Sequence, residues 1–199
     1  MTTIDLGVAL PFPVRSDELL RRLAVRRSAP AQALAAPGPD DVELDEILRL
    51  GARTPDHGKL FPWRFVVLGP KSRADIAERL TALIERDGRS PKDRAVLAKL
   101  VAAPVTVLVI SRPVPKAKPV WEQQLSAGAV CMNLEHAAGA LGYATSWITD
   151  WYSYDAEAAA LFGVTADETV AGFIHIGTAT EPLLERPRPD VAAITEKRP

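Results

Sequence analysis

The chain has 199 residues, 47% of them hydrophobic, with 24 Lys and Arg against 25 Asp and Glu, a formal charge of −1. That length suits one domain of ordinary size or a domain completed by a partner, and the charge balance leaves no global field to draw in nucleic acid or an anionic membrane. Cys131, the single cysteine, excludes an intrachain disulfide and accords with a reducing compartment. With no basic start, signal-like apolar run or stretch near the roughly 18 apolar residues of a membrane span, a soluble, cytoplasmic protein is expected.

Residues 1–15 carry Pro11 and Pro13 without a clear period and read as an arm, leaving 16–199 as one domain. Ser16 can cap a helix whose first turn holds Asp17 and Glu18, favourable beside the positive helix end. Leu19, Leu20 and Leu23 form its apolar stripe, and it ends near Arg26 and Arg27. Residues 29–39, rich in Ala and Pro, read as loop. Asp40 and Glu43 make a capping box for a helix carrying Leu44, Ile47, Leu48 and Gly51 on one face, which stops before Pro55.

The spacing predicts a strand over 63–68, then a helix opened by Ser72 with Ile76, Leu80, Leu83 and Ile84 inward, and another at Ser90-Pro91. Residues 104–110 are apolar and β-branched, the pattern of a buried central strand. The longest helix covers 120–141 and is apolar or small almost all round from Leu125 to Met132, so it packs on more than one side. Glu135 and His136 interrupt it and exclude a membrane span. Strands follow at 143–149 and 170–177, around a short helix at 155–162 closed by Gly163. The tail from Glu181 is proline-rich, with Arg186 and Arg188. This order predicts an α+β sandwich of about four strands with helices on its faces.

Two runs concentrate chemistry. Arg26-Arg27-Ser28 ends the first helix; the arginines either complement the helix dipole in solvent or, with the serine hydroxyl, grip a phosphate. The run from Arg53 to Lys59 (Arg-Thr-Pro-Asp-His-Gly-Lys) leads through Pro62 into Trp63. It is either a polar turn with a surface histidine, or a set of cations (Arg53, His57, Lys59) beside a fixed indole, suited to a ring with carbonyl oxygens. His175, in an apolar strand, and His136, on the long helix, read as structural. Cys131 reads as an inert core thiol. Asp150, Trp151, Tyr152 and Tyr154 either line a pocket mouth or fill an interface. There is no metal-ligand spacing, Walker loop or Gly-x-Gly-x-x-Gly, so any nicotinamide nucleotide binds without a Rossmann domain of its own.

These runs, with 63–67 (Trp-Arg-Phe-Val-Val), 119–124 (Pro-Val-Trp-Glu-Gln-Gln), 141–143 (Leu-Gly-Tyr) and 173–178 (Phe-Ile-His-Ile-Gly-Thr), closely resemble the FMN-dependent nitroreductase family, in particular its small YdjA-like branch. The resemblance runs from about Ser16 to the end. It implies a nitroreductase-like α+β sandwich in an intertwined homodimer with FMN at the subunit interface. By position, Arg26, Arg27 and Ser28 would contact the phosphate and ribityl end from one chain, and Arg53 and His57 the ring from the other. Trp147, Ile148 and Thr149 match a flavin-contacting strand end, and Arg188 (or Arg186) a phosphate cation. Ala138, Gly139, Ala140, Leu141, Gly142 and Tyr143 match a nicotinamide-binding stretch. The chain departs from the family at Ile148-Thr149-Asp150, where Arg-Ser-Gly is the comparison, and at Lys59 and Phe61. The implied activity is ping-pong hydride transfer from NAD(P)H through FMN to nitroaromatic, quinone-like or related acceptors, with no catalytic side chain required. Alternatives are a biosynthetic dehydrogenase or oxidase of the same fold, a flavin-binding protein without turnover, and a plain α+β binding module.

Overall fold

The computed structural model describes residues 4–198; Met1, Thr2 and Thr3 of the expected arm, and Pro199, lie outside the described residues. The chain divides into two compact units, one formed by residues 4–27 with 182–198 and the other by Ser28–Glu181.

In the first unit, helix α1 (Asp17–Ala24) starts where the sequence places it, with Ser16 Oγ accepting the Leu19 amide at 3.2 Å. Glu18 accepts from both Arg21 and Arg22 one turn on, at 2.7 and 2.8 Å. The helix nevertheless buries no residue: Leu19, Leu20 and Leu23 remain 54%, 50% and 48% exposed.

The second unit is an antiparallel sheet with helices on both faces. In chain order it contains β1 (Leu34–Ala35), α2 (Asp41–Gly51), β2 (Trp63–Leu68), α3 (Pro70–Asp87), α4 (Pro91–Ala95) and α5 (Leu97–Ala102). These are followed by β3 (Val105–Ser111), α6 (Val120–Ala140), β4 (Ala144–Ile148), α7 (Ala156–Ala160) and β5 (Thr169–Ala179). The order is β1-β5-β3-β2, and β4 also pairs with β5. β5 is thus shared by three strands, pairing β1 at Thr178 and Ala179, β3 over most of its length, and β4 from Phe173 to Gly177.

Four strands match the expected ones to within a residue or two. The fifth, β1, lies in the stretch read as loop: two residues carry too little periodicity to register, and the strand exists because Leu34 and Ala35 meet the end of β5. α3 begins at Pro70, two residues before Ser72, because Gly69 is its N-cap and proline suits the first turn, where no N–H partner is needed. The Asp40–Glu43 capping box forms as read, with bonds of 2.8 and 3.2 Å.

The pleat of β3 sorts the core into two layers. Val107 and Val109 face α2 and α6, joining Ile47, Val130, Cys131 and Leu134; Leu108 and Ile110 face α3 and α5, joining Ile76, Leu80, Leu100, Tyr152 and Phe173. Burying each such aliphatic or aromatic side chain contributes about 1.5–3 kcal/mol. α6 packs on β3, β4, β5 and α2, which is why it is apolar round most of its circumference. Its Glu135 is buried and accepts from Thr145 Oγ1 at 2.9 Å. Among the described residues, no helix is long and apolar enough to cross a membrane.

Arg73 went unremarked in the sequence. It is fully buried on α3, donating to the carbonyls of Leu100 at 2.9 Å and Pro104 at 3.0 Å, and so ties α3 to the end of α5. Burial pulls its guanidinium below the ordinary arginine value.

Candidate functional site

The segment between α2 and β2 is shaped by bonds to its own backbone and to α6. Thr54, buried, donates to Gly51 O at 2.9 Å and accepts from Asn133 Nδ2 at 2.7 Å. Ser126 Oγ donates to Pro55 O at 2.9 Å and accepts from Trp63 Nε1 at 3.2 Å, which fixes the buried indole. Asp56 turns its carboxylate inward to accept the amides of Leu60 and Phe61, the latter at 3.2 Å. Around that carboxylate the backbone is left-handed at Gly58 (φ 94°), Lys59 (φ 56°) and Phe61 (φ 49°). A non-glycine residue in that region costs of order 1 kcal/mol or more and persists where neighbouring bonds over-determine it.

His57 projects from this turn. Its Nδ1 lies 2.6 Å from Glu122 Oε2, in the first turn of α6. Facing an ionised carboxylate, which only accepts, that ring nitrogen would be the donor. Pro55, His57, Glu122, Leu125 and Ala129 line an open recess of about 320 Å³. Arg53 and Lys59 are exposed on the same loop, and Phe61, Trp121 and Leu125 are more than half exposed. Glu122 was part of a matched run but had no assigned role; its acidic position at a helix start was the available signal, and its partner 65 residues away was not.

Elsewhere in this unit, the Trp147 indole lies across the backbone of β5. Its Nε1 donates to Ala171 O at 3.1 Å, and a Cβ at Gly172 would come within 2.0 Å of that nitrogen, so only glycine leaves room for the ring. Ile148 is half-buried, and Thr149 Oγ1 shares a 2.6 Å bond with Tyr154 Oη. Asp150, the departing residue, is engaged by Lys99 Nζ at 3.2 Å. The four residues that follow β4 divide: Tyr152 is fully buried, Trp151 donates to Asp93 O at 3.0 Å, and Tyr154 is exposed.

The 138–143 stretch is the end of α6 and its turn, with Ala138 in the core and Leu141 and Gly142 exposed. Tyr143 donates to Glu43 Oε2 at 2.5 Å, and that carboxylate pushes the phenol up to about 12. His175 is structural: it is fully buried, bonded to Thr106 Oγ1 at 2.8 Å, and lowered to about 3 chiefly by burial. His136 is half-buried on α6. The buried Cys131 thiol is pushed up to about 12, chiefly by burial, which leaves it unreactive.

In the first unit, arginine side chains of two sequence-distant segments each bond the other segment's backbone. Arg27 Nε donates to Leu184 O at 2.7 Å, and Arg188 Nη2 donates to Arg26 O at 3.2 Å. Arg188 also pairs with Glu185 at 2.9 Å. The Arg186 amide, and then Arg188, hold the Glu185 carboxyl below the usual carboxylate range. The candidate residues therefore form four groups: Arg26, Arg27 and Arg188 in the first unit, and the His57 loop, the 138–143 turn and the Trp147 strand end in the second, which Ser28 begins.

The model of the nitroreductase family matches residues 23–178. The chain belongs to the nitroreductase family. YdjA of Escherichia coli (strain K12), which bears the name of an NAD(P)H nitroreductase, is 32% identical over 167 residues, 81% of this chain and 88% of that protein. A nitroreductase-like protein from Bacillus cereus superposes with a TM-score of 0.78 at 18% identity, covering 94% of this chain and 99% of the other. A Bacteroides fragilis nitroreductase with bound FMN superposes with a TM-score of 0.70 at 23% identity, covering 92% and 100%. The family match takes in the His57 loop, all of α6 and the Trp147 strand. It begins at Leu23, so the arm and most of α1 fall outside it, as do Arg186 and Arg188.

Proposed function

We propose that this member of the nitroreductase family is an FMN-dependent oxidoreductase that draws electrons from NAD(P)H and reduces nitroaromatic, quinone-like or related small acceptors by ping-pong hydride transfer. The observation that carries this reading is the bonding of Arg27 to the Leu184 backbone and of Arg188 to the Arg26 backbone, which joins two arginine-bearing segments about 160 positions apart in sequence. Clustered guanidinium groups are the donor chemistry a phosphate monoester requires. The rest of the donor set suits the same ligand: Arg53 and Lys59 are exposed cations for a ring edge bearing carbonyl oxygens, and Trp147 offers a partly exposed flat face. The reading includes a homodimer, supported by an α1 whose apolar stripe stays half exposed.

In this reading Arg26, Arg27, Ser28 and Arg188 of one protomer hold the phosphate and ribityl end, while Arg53 and His57 of the other protomer, with the 147–149 strand end, border the ring. Bound FMN would supply two-electron hydride chemistry, taken from NAD(P)H and passed to the acceptor in a separate step. A cation beside the ring's pyrimidine edge favours the anionic reduced form, so Arg53 sets the potential without touching the acceptor. The 138–143 turn, with exposed Leu141 and Gly142, is the surface offered to the nicotinamide nucleotide.

Purified protein should be yellow, and anaerobic NADH or NADPH should bleach it. A folded preparation that stays colourless after incubation with excess FMN overturns the reading. Arg26→Ala should weaken FMN retention by roughly 10–100-fold, the loss of one charge-assisted bond of about 1.5–3 kcal/mol, measured by equilibrium dialysis.

A further inference from the structure

We propose that His57 is the proton donor to the acceptor and that Glu122 is its positioning residue; this rests on the flavin reading above. His57 Nδ1 faces Glu122 Oε2 at 2.6 Å, so the carboxylate takes the Nδ1 hydrogen and leaves Nε2 as the working nitrogen. No described residue hydrogen-bonds Nε2. A nitrogen oriented from behind by a carboxylate is the arrangement in which imidazole passes protons.

The mounting is rigid on both sides. Asp56 and Ser126 fix the turn that carries His57, and Glu122 stands in the first turn of the 21-residue α6. The other charged groups around the ring leave Nε2 free. Asp56 is committed to the Leu60 and Phe61 amides, and the Lys118 stem lies over Gly58, 3.2 Å from where a Cβ would stand there. Both side chains of the pair keep about half their surface in solvent, 52% for His57 and 44% for Glu122, so the ring reloads from water. The recess beside them is bordered by Leu125 and Ala129, apolar walls for a planar acceptor.

The chemistry consumes a proton with each hydride. A quinone gains a hydride and one proton to become a hydroquinone. A nitro compound gains a hydride and one proton, an N–O bond breaks, and nitroso product and water leave. In each case bound reduced FMN would supply the hydride. The doubly protonated His57 ring gives its Nε2 proton, falls back to the neutral form with hydrogen on Nδ1 facing Glu122, and takes a new Nε2 proton from solvent.

Two measurements test this. In protein labelled with 15N-histidine, with or without flavin, the neutral His57 ring should carry its hydrogen on Nδ1, and Glu122→Gln should shift it toward Nε2. A wild-type ring with hydrogen on Nε2 overturns the role of Glu122. In stopped-flow oxidation of the reduced holoenzyme, a quinone is compared with ferricyanide, which takes one electron and no proton. His57→Gln should lower the ratio of quinone to ferricyanide rates by ~10²-fold, and Glu122→Gln should lower it in the same direction. An unchanged ratio overturns the proposal whether both rates fall together or neither falls. Colourless protein defeats the flavin reading instead, and the 15N measurement still reports on the pair.

Discussion

Arg73 shows how much one side chain can carry without belonging to any site. Its guanidinium is fully buried and spans the carbonyls of Leu100 and Pro104. Lysine offers a point charge in place of a fork and cannot hold the same two carbonyls together. Arg73→Lys should therefore cost about 1–3 kcal/mol, the penalty of an unsatisfied buried polar group, seen as a lowered urea midpoint at unchanged slope. Nothing in the sequence marks this residue: Ser72-Arg73-Ala74-Asp75 reads as the solvated start of a helix. His175 and Cys131 were legible because apolar neighbours on both sides predict burial whatever the partner. The His57 turn was legible as a turn from Pro55, Asp56 and Gly58. Its pairing with Glu122 depends on how α6 docks, which no local pattern encodes.

At the scale of elements, the packing of α2 on α6 places the recess, because the His57 loop leaves one helix and Glu122 begins the other. That packing is close at Gly51, where a Cβ would stand 2.5 Å from Leu134 Cδ2, and Leu134 is itself fully buried. Gly51→Val should wedge the helices apart and cost about 1–3 kcal/mol, with a lowered melting temperature as the readout. Loss of flavin affinity beyond that of an equally destabilised variant elsewhere would tie the two helices to the site. The long elements could be read from sequence because their apolar patterns persist: β3 as a buried run, α6 as a helix apolar or small almost all round from Leu125 to Met132. β1 and the start of α3 could not, since one is two residues held by a distant strand and the other is capped by a glycine with no side chain to signal it.

For the whole molecule, buried His175 sets a pH limit. Burial, with help from the charges of Arg73 and Lys99, lowers it from 6.5 to about 3. Between these values the unfolded chain binds a proton that the folded chain refuses, so stability is complete above about 6.5 and falls as the pH drops toward 3. Between pH 6 and 5, before most carboxylates titrate, the loss should approach roughly 1.4 kcal/mol per pH unit. His175→Asn should flatten that slope in urea titrations at stepped pH; an equal slope in the variant would show that other groups set it.

The sharing of β5 among three neighbours also governs how the chain is made. The strand begins at Thr169, so a ribosome must pass α6 and β4 before β3 can meet its central mate. Until then β1 and β4 emerge without a partner strand and β3 can pair only with β2, so the sheet waits on distant closures, the slow class of folding steps. A nascent chain halted just short of that strand should be held by chaperones or lost to proteolysis, and release of about a dozen more residues should rescue it.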